Sequence, residues 1–299
     1  MLPMLATLID KPFDDKEWIF EIKWDGYRAL AEKGKEVLLV SRNQKLFKQF
    51  PSINEELKKI PGKWILDGEV VVLDKKGRSD FQLLQNYQRR KVRHPVYYVF
   101  DILSYQGSDL RHLTLVERRK ILKELLKQVR LKFVRFSKSI EGKGKAFFSQ
   151  AKKKGLEGIM AKKKESLYRS VRTRDWLKIK TGMRQEVVIG GFTKPQGSRA
   201  YLGALLVGVY KKGKLVYAGH VGGGFNREGL KEMYEKLKKI TVSKSAFAIE
   251  PHPNTPVTWV RPKLVCEVKF AEWTEDGMLR QPVFMGIRVD KSPKQVVRE

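Results

Sequence analysis

The eight residues from 21 to 28 hold the side chains with the clearest chemical potential in the chain. They read Glu21-Ile22-Lys23-Trp24-Asp25-Gly26-Tyr27-Arg28. A lysine amine attacks an electrophile only in its neutral form, which partial burial or nearby cations favour. The carboxylate and the guanidinium would then orient a metal or a nucleotide. A surface turn with salt bridges would show the same pattern, so the segment alone leaves a covalent nucleophile and a structural turn open.

Four further segments place charged side chains within or at the ends of apolar strands. They are Asp67-Gly68-Glu69, Phe100-Asp101, Glu157-Gly158-Ile159-Met160-Ala161-Lys162 and Trp176-Leu177-Lys178-Ile179-Lys180. Charged side chains rarely lie in such segments without a partner. Because side chains alternate along a strand, Lys178 and Lys180 are predicted to lie on one face. Two such lysines favour an anion site, and a solvated strand face is the alternative.

Predicted strands and helices position these segments. Alternating or β-branched stretches predict strands over residues 18–24, 36–41, 64–73 and 96–103. The spacing of apolar residues predicts helices over 53–60 and 114–129, and Ser52 and Glu55 have the spacing of a capping box for the first. Strands and helices in this irregular order indicate an α+β class with antiparallel sheets.

The pattern changes near residue 183 to that of a small barrel. Strands are predicted over 186–193, 204–211, 214–221, 258–260 running on to 264–272, and 283–289, with one helix over 227–240. About five strands and one helix are typical of an OB-fold β-barrel. We therefore predict two domains, residues 1–183 and 184–299.

Composition and charge exclude several classes of protein. The chain has 62 Lys+Arg against 33 Asp+Glu, a net charge of +29, with 41% hydrophobic residues and one cysteine. The apolar content is sufficient for packed cores, and a single cysteine excludes a disulfide framework and a multi-cysteine zinc site. The sequence shows no segment typical of a membrane span, so we expect a cytoplasmic protein. The excess of positive charge requires a polyanionic partner such as nucleic acid.

The motifs, in this order, resemble those of ATP-dependent DNA ligases of the covalent nucleotidyltransferase superfamily. The resemblance extends to Ser41-Arg42-Asn43 and, near the C-terminus, to Arg288-Val289-Asp290-Lys291. Stretches around residues 3–8, 79–82 and 280–284 are similar to the ligase domain of bacterial end-joining ligase D. The resemblance implies a nucleotidyltransferase (adenylation) domain with antiparallel sheets followed by an OB-fold β-barrel domain.

The resemblance also implies a role for each motif residue. Lys23 is the nucleophile that carries AMP, Asp25 and Glu157 hold Mg²⁺ or Mn²⁺, and the cofactor is ATP. The other implied ATP-binding residues are Arg28 and Glu69 at the ribose, Phe100 on the adenine, the Glu21-Ile22 backbone at the adenine edge, and Lys162, Lys178 and Lys180 near the α-phosphate. Arg42 is expected to bind DNA phosphate. Arg288, Asp290 and Lys291 are expected to orient the pyrophosphate leaving group in the first step.

The implied function is the sealing of nicks or breaks in duplex DNA through lysyl-AMP and DNA-adenylate, in repair by non-homologous end joining. Only 22 residues precede Lys23, too few for the domain that NAD-dependent ligases use, which favours ATP. We expect a monomer associated with the nucleoid, with the end-binding protein Ku and separate or fused polymerase and nuclease modules as partners. Alternatives are an RNA ligase, an mRNA capping guanylyltransferase and a non-catalytic basic OB protein that binds nucleic acid.

Overall fold

The computed structural model describes residues 1–87, 94–197 and 199–299. The chain divides into two compact units, Met1–Thr181 and Gly182–Glu299. This division lies two residues from the predicted boundary after residue 183, which stays a prediction. None of the described helices is both long and apolar enough to cross a membrane.

The first unit is built from strands and helices in mixed order. Its elements are β1 (Leu5–Leu8), β2 (Asp15–Ile22), β3 (Tyr27–Lys33), β4 (Val37–Ser41), α1 (Pro51–Lys59), β5 (Trp64–Val71), α2 (Phe81–Gln85), β6 (Val96–Tyr105), β7 (Ser108–Asp109), α3 (Leu115–Lys127), β8 (Val134–Phe136), β9 (Ser139–Gly142), α4 (Gly144–Lys153), β10 (Gly158–Lys163) and β11 (Arg172–Lys180). The predicted α+β class is confirmed, and each strand predicted in this unit has a counterpart.

The described strands of the first unit form two sheets. One has the order β1-β11-β10-β2-β9, and the other has the order β4-β3-β5-β6-β7 with β8 also paired to β6. Among the described residues the pairing is antiparallel, as predicted, except that β1 pairs with β11 and β8 with β6 in parallel. Parallel pairing needs a long crossover connection, so it could not be expected from adjacent strand patterns.

Three apolar clusters hold this unit together. The first packs α1 and α3 against the sheet that contains β3, β5 and β6. The second packs α4 against one face of the β10-β2 sheet, with Phe20, Ile159 and Ile179 at its centre. The third contains residues of both sheets, including Phe100 from β6 and Trp176 from β11. Residues that alternate with those of the second cluster therefore lie on the face that carries the motif side chains.

The start of α1 differs from the prediction. The helix begins at Pro51 with Phe50 at the N-cap, and no side chain caps it. Proline is well suited to a first helical position because its missing N–H would have no partner there. The predicted capping box of Ser52 and Glu55 is therefore wrong. A complete capping box occurs instead at α3, between Thr114 and Glu117.

In its described residues, the second unit is a β-barrel with one α-helix. Its elements are β12 (Arg184–Thr193), β13 (Leu205–Lys211), β14 (Lys214–Val221), α5 (Arg227–Lys238), β15 (Thr241–Val242), β16 (Val257–Val260), β17 (Val265–Lys269), β18 (Val283–Ile287) and a 3-10 turn at Pro293–Gln295. β12 pairs with β13, β16 and β17, while β14 follows β13 and β18 follows β17. A bridge between Gly223 and Val283 closes the path. The predicted OB-type barrel is confirmed.

Candidate active site

Lys23 lies directly after β2, and its side chain contacts a carboxylate from another strand. The Lys23 Nζ atom forms a short ion pair with Glu157 Oε1, and the Glu157 side chain is only 3% exposed. The backbone N–H of Lys23 donates to the carbonyl of Gly158 (3.0 Å), while Gly158 pairs in register with Lys180. Lys23, Gly158 and Lys180 therefore lie in one row across three strands, which places the two lysine backbones about 10 Å apart.

Two motif glycines allow the strands to approach closely at this point. A Cβ on Gly26 would lie 2.1 Å from the carbonyl oxygen of Val70. A Cβ on Gly158 would lie 2.1 Å from the carbonyl oxygen of Ile179. No other residue type fits at either position without moving backbone, because real Cβ atoms do not come this near to an oxygen.

Glu157 is in contact with Lys23, and Asp25 follows Lys23 by two positions in the chain. Asp25 is 5% exposed, and its backbone N–H donates to Ser79 Oγ (3.0 Å). Within the described ranges no three His, Cys, Asp or Glu side chains converge as a metal site. Mg²⁺ commonly binds one or two carboxylates and completes its shell with water and substrate phosphates. The carboxylates of Asp25 and Glu157 are therefore the candidates for holding a metal that arrives with a nucleotide.

Arg28 on β3 is fixed by a buried carboxylate on β5. Its Nε and Nη2 atoms donate to the two oxygens of Asp67 (2.5 and 2.6 Å), and Tyr168 Oη donates to Asp67 Oδ2 (2.7 Å). Burial disfavours the charged guanidinium, but Asp67 outweighs this effect and raises the pKa of Arg28. Glu69 pairs directly with Arg28 across the two strands and is half-buried. The guanidinium thus stays charged and rigid beside Glu69.

Lys162 on β10 is a fully buried amine between two aromatic rings. Its Nζ atom lies 4.0 Å from the ring centre of Phe100 and 4.2 Å from that of Trp176. Nζ lies 3.2 Å from Glu21 Oε1, yet it makes no hydrogen bond of good geometry within the described chain. The distance is that of an ion pair. Burial lowers the pKa of Lys162 to about 8, and Glu21 opposes the fall.

Arg119 on α3 forms hydrogen bonds with residues of both sheets, close to Phe100 and Glu21. Its Nη1 atom donates to Glu21 Oε1 (2.8 Å) and to the carbonyl of Phe100 (2.9 Å), and its Nη2 atom donates to the carbonyl of Ser137 (2.8 Å). Ser137 Oγ in turn donates to Glu21 Oε2 (3.2 Å). The neighbouring Arg118 forms two hydrogen bonds with Asp101, both side chains being fully buried. Asp101 is therefore a structural residue, whereas Arg119 holds the pocket that Phe100 lines.

The remaining predicted residues of the first unit lie on the same sheets. Lys178 and Lys180 are half-buried on one face of β11, as their spacing predicts, and Lys178 pairs across β10 with Met160. Arg42 lies in the turn that follows β4, half-buried. The tight turn is closed by a hydrogen bond from Gln44 N–H to the Ser41 carbonyl (2.8 Å).

The C-terminal motif forms a charged cluster within the second unit. Arg288 donates from Nε and Nη2 to the two oxygens of Asp290 (2.9 and 2.8 Å). Lys291 Nζ lies 2.9 Å from Glu186 Oε1. Burial would raise the pKa of Glu186, but Lys291 and Arg288 outweigh it and lower that pKa. The pKa of Asp290 is lowered in the same way, against its burial, by Arg288.

The sequence analysis did not single out several residues that build the site. They are Asp67 as the partner of Arg28, the Glu21 side chain, Arg118, Arg119, Ser137, Tyr168 and Glu186. A signal existed for the two arginines, since both lie three or four residues from Leu115 and Leu122 on one helix face. The strand pairings that bring the others together leave no such signal.

Two family models match this chain. The model described as ATP dependent DNA ligase domain matches residues 3–180, and the model described as ATP dependent DNA ligase C terminal region matches residues 198–291. Together they cover both units.

Curated relatives agree with the family models. The chain is 40% identical to the multifunctional non-homologous end joining protein LigD of Pseudomonas aeruginosa, over 99% of this chain and 36% of that protein. It is 36% identical to the multifunctional non-homologous end joining DNA repair protein LigD of Mycobacterium tuberculosis, over 100% of this chain and 40% of that protein. The SPbeta prophage-derived DNA ligase-like protein LigB of Bacillus subtilis is 30% identical, with 96% of this chain and 98% of that protein covered. The chain thus spans well under half the length of the LigD relatives.

Solved structures give the same result. The structure titled mycobacterial DNA ligase D complexed with ATP and MES has a TM-score of 0.74 at 35% identity, covering 100% of this chain and 98% of that one. The ligase domain from M. tuberculosis LigD has a TM-score of 0.55 at 35% identity, with the same coverage.

Proposed function

The chain belongs to the ATP-dependent DNA ligases, and from this membership we propose that Lys23 is the residue that carries AMP. The single observation that supports it is the position of Lys23, whose Nζ contacts Glu157 in a pocket bordered by Asp25 and the row that contains Lys180. A lysine in this setting has a proton acceptor, an anion site and a candidate cation site within one pocket.

In the proposed first step the Nζ atom attacks the α-phosphorus of ATP. The N–P bond forms as the bond from the α-phosphorus to the bridging oxygen breaks, and pyrophosphate leaves with the electron pair. The amine must give up a proton before it attacks, and the carboxylate of Glu157 is in contact with it. Lys178 and Lys180 supply positive charge to the α-phosphate, where negative charge is concentrated during phosphoryl transfer.

We assign nucleotide recognition to the pocket between the two sheets. Arg28 and Glu69, paired across β3 and β5, are the residues for the ribose hydroxyls. Phe100 offers its ring to the adenine, and the backbone of Glu21 and Ile22 reads the edge of the base. The ring of Phe100 already faces two cations, Lys162 at 4.0 Å and the Arg28 guanidinium at 4.6 Å.

Asp25 and Glu157 would hold a divalent metal, Mg²⁺ or Mn²⁺. When bound, the metal would neutralise charge on the phosphates of ATP. Metal binding is thus assigned to the two carboxylates, whereas direct contact with the phosphate is assigned to the lysines. Both candidate ligands are carboxylates, and Mg²⁺ and Mn²⁺ are hard cations that prefer oxygen ligands.

The later steps transfer AMP to the 5′-phosphate at the break and then join it to the 3′-hydroxyl. Arg42, in the turn after β4, is assigned to a DNA phosphate beside the break. Arg288, Asp290 and Lys291 are assigned to the pyrophosphate in the first step. The mutual ion pairs of Arg288 and Asp290 keep the guanidinium oriented until it meets an anion.

The cellular role that we propose is repair of broken DNA by non-homologous end joining. The LigD relatives carry this function in their names, and the chain matches 36–40% of their length. We propose the end-binding protein Ku as a partner, polymerase and nuclease modules as separate or fused companions, and the nucleoid as the place of action. The net charge of +29 supports a polyanionic substrate.

One experiment tests the assignment of the nucleophile and the substrate together. The purified protein is incubated with labelled ATP or GTP and a divalent metal, and then with nicked DNA or nicked RNA. We expect an AMP adduct on Lys23 by peptide mass spectrometry and a sealed DNA nick. The Lys23→Ala variant should form no adduct, whereas Lys120→Ala, an exposed lysine of α3, should behave as the wild type.

Other outcomes have definite meanings. A GMP adduct would indicate a capping guanylyltransferase, and faster sealing of RNA would indicate an RNA ligase. An AMP adduct on a lysine other than Lys23 would refute the assigned nucleophile. DNA binding with no adduct at all would leave a basic OB protein.

A further inference from the structure

A basic cavity lies at the end of α4, outside the nucleotide pocket. It has a volume of about 580 Å³ and is lined by two basic segments, residues 76–78 and 152–155, together with parts of α4 and β2. The sequence of the second segment is Lys152-Lys153-Lys154-Gly155. The two segments touch, because a Cβ on Gly155 would lie 3.1 Å from Arg78 Nη1.

The charged residues that line this cavity are all basic. Five of its lining residues are basic and none is acidic: the basic ones are Lys76, Arg78, Lys152, Lys153 and Lys154. Arg78 is paired with Asp74 at 2.6 Å, outside the lining. In the described part of the chain, Lys152, Lys153 and Lys154 form no ion pair with any carboxylate, and all three are exposed. Such a group of like charges repels itself and favours a polyanion.

Residues that line the cavity are adjacent in sequence to residues of the nucleophile site. Two of its lining residues, Ile22 and Leu156, directly precede Lys23 and Glu157. On the other side, Arg78 is followed by Ser79, whose hydroxyl accepts a hydrogen bond from Asp25 N–H. The cavity and the nucleophile therefore lie at the same end of the β10-β2 sheet.

We propose that this basic cavity binds the sugar-phosphate backbone of duplex DNA beside the break that is to be sealed. The inference rests on the proposed ligase function and names a surface that this function needs. Duplex DNA carries a phosphate for about every 1.7 Å of its axis, so several phosphates can meet a group of five cations. Exposed lysines on flexible stems are suited to backbone contacts, which position a duplex without reading its sequence.

The test compares two triple variants with equal charge. Lys152, Lys153 and Lys154 are replaced by Gln in one variant, and the exposed α3 residues Lys120, Lys123 and Lys127 are replaced by Gln in the control. Each variant loses three positive charges from lysines in or directly after a helix. Binding is measured by fluorescence anisotropy with a nicked duplex that ends in a 3′-dideoxynucleotide, at several salt concentrations.

We expect the cavity variant to bind the nicked duplex at least tenfold more weakly at 0.1 M salt than the control. The slope of log K against log salt should become shallower by up to about 2.7, because each lost phosphate contact accounts for about 0.9. Self-adenylylation with ATP, which needs no DNA, should be unchanged in both variants. Replacement of the same three lysines by Arg should retain binding.

Protection of lysines from methylation gives a second measurement that needs no variant. Addition of nicked duplex to the wild-type protein should protect residues 152–154 and leave Lys120 and Lys123 reactive. Equal binding and equal salt slopes in the two triple variants would overturn the proposal. So would a raised KM for ATP in the cavity variant with DNA affinity unchanged, which would assign the cavity to the triphosphate. Absence of nick sealing by the wild type would instead refute the proposed function.

Discussion

Replacement of the buried Lys162 by Met should stabilise the protein at neutral pH. The ordinary pKa of a lysine is 10.5, and burial of Lys162 lowers its pKa to about 8. Each pH unit by which a pKa falls corresponds to about 1.4 kcal/mol, so the buried charge costs about 3 kcal/mol of stability below pH 8. Methionine has a similar length, no charge and favourable contacts with the rings of Phe100 and Trp176.

The sign of the pH dependence follows from proton counting. Between pH 8 and 10.5 the unfolded chain keeps the proton of Lys162 and the folded chain has lost it. The stability of the wild type, relative to the Met variant, therefore rises with pH in this window. We expect Lys162→Met to be more stable by about 3 kcal/mol at pH 7, and to lose this advantage as the pH approaches 10.5.

Urea unfolding followed by tryptophan fluorescence at pH 7 and pH 10 measures the difference. Comparison of the variant with the wild type at each pH cancels the titration of all other groups. Lys120→Met, at an exposed position, is the matched control and should show no pH-dependent difference. A stability difference for Lys162→Met that is the same at both pH values would refute the reasoning. The variant should also use ATP less well, because Glu21 loses a cation that helps to position it.

Three further substitutions test other parts of the structure. Glu56→Ala should lower the free energy of unfolding by about 3 kcal/mol, because the buried carboxylate accepts hydrogen bonds from three consecutive backbone N–H groups at the start of β8; the exposed neighbour Glu55→Ala should change it by less than about 0.5 kcal/mol in the same denaturation assay. Lys291→Ala should slow self-adenylylation at least tenfold and still seal a nick that already carries AMP, so an equal loss in the two assays would contradict its assignment to the first step. Arg119→Met should raise the KM for ATP in self-adenylylation more than it lowers kcat, with partial recovery in Arg119→Lys, and a change in melting temperature with unaltered kinetics would show a purely structural role.

The residues of the site could be predicted from the sequence to the extent that local pattern defines them. Alternation along a strand predicted that Lys178 and Lys180 share a face, and the structure confirms it. The family resemblance implied that Lys23 and Glu157 belong to one site, and their side chains are in contact in the structure. The buried arginines of α3 were missed because charged residues are expected at the surface. Helical periodicity nevertheless places these two positions on the buried face of the helix.

Contacts between distant segments could not be predicted in this way. The carboxylate of Glu56 meets backbone groups more than seventy residues away, at β8. The parallel pairing of β1 with β11 joins the two ends of the first unit. A pairing of this kind depends on the registers of all the strands between, which one sequence does not determine. The capping box at Ser52 failed for a local reason, since the helix begins with proline at its first position, two residues before the predicted start.

The two glycines that touch neighbouring backbone have a consequence for protein engineering. In the hexad from Lys23 to Arg28, Gly26 has no side chain that could take part in the chemistry. Glycine is needed there because a Cβ atom would lie 2.1 Å from a backbone carbonyl oxygen of another strand. A graft of this hexad onto another protein would transfer the reactive residues without the neighbouring strand against which the turn packs. A successful transplant must therefore carry the partner segment around Val70, and for the strand of Gly158 that pairs with Lys23 also the segment around Ile179. The smallest transferable unit of this chemistry is thus a set of strands, not a peptide.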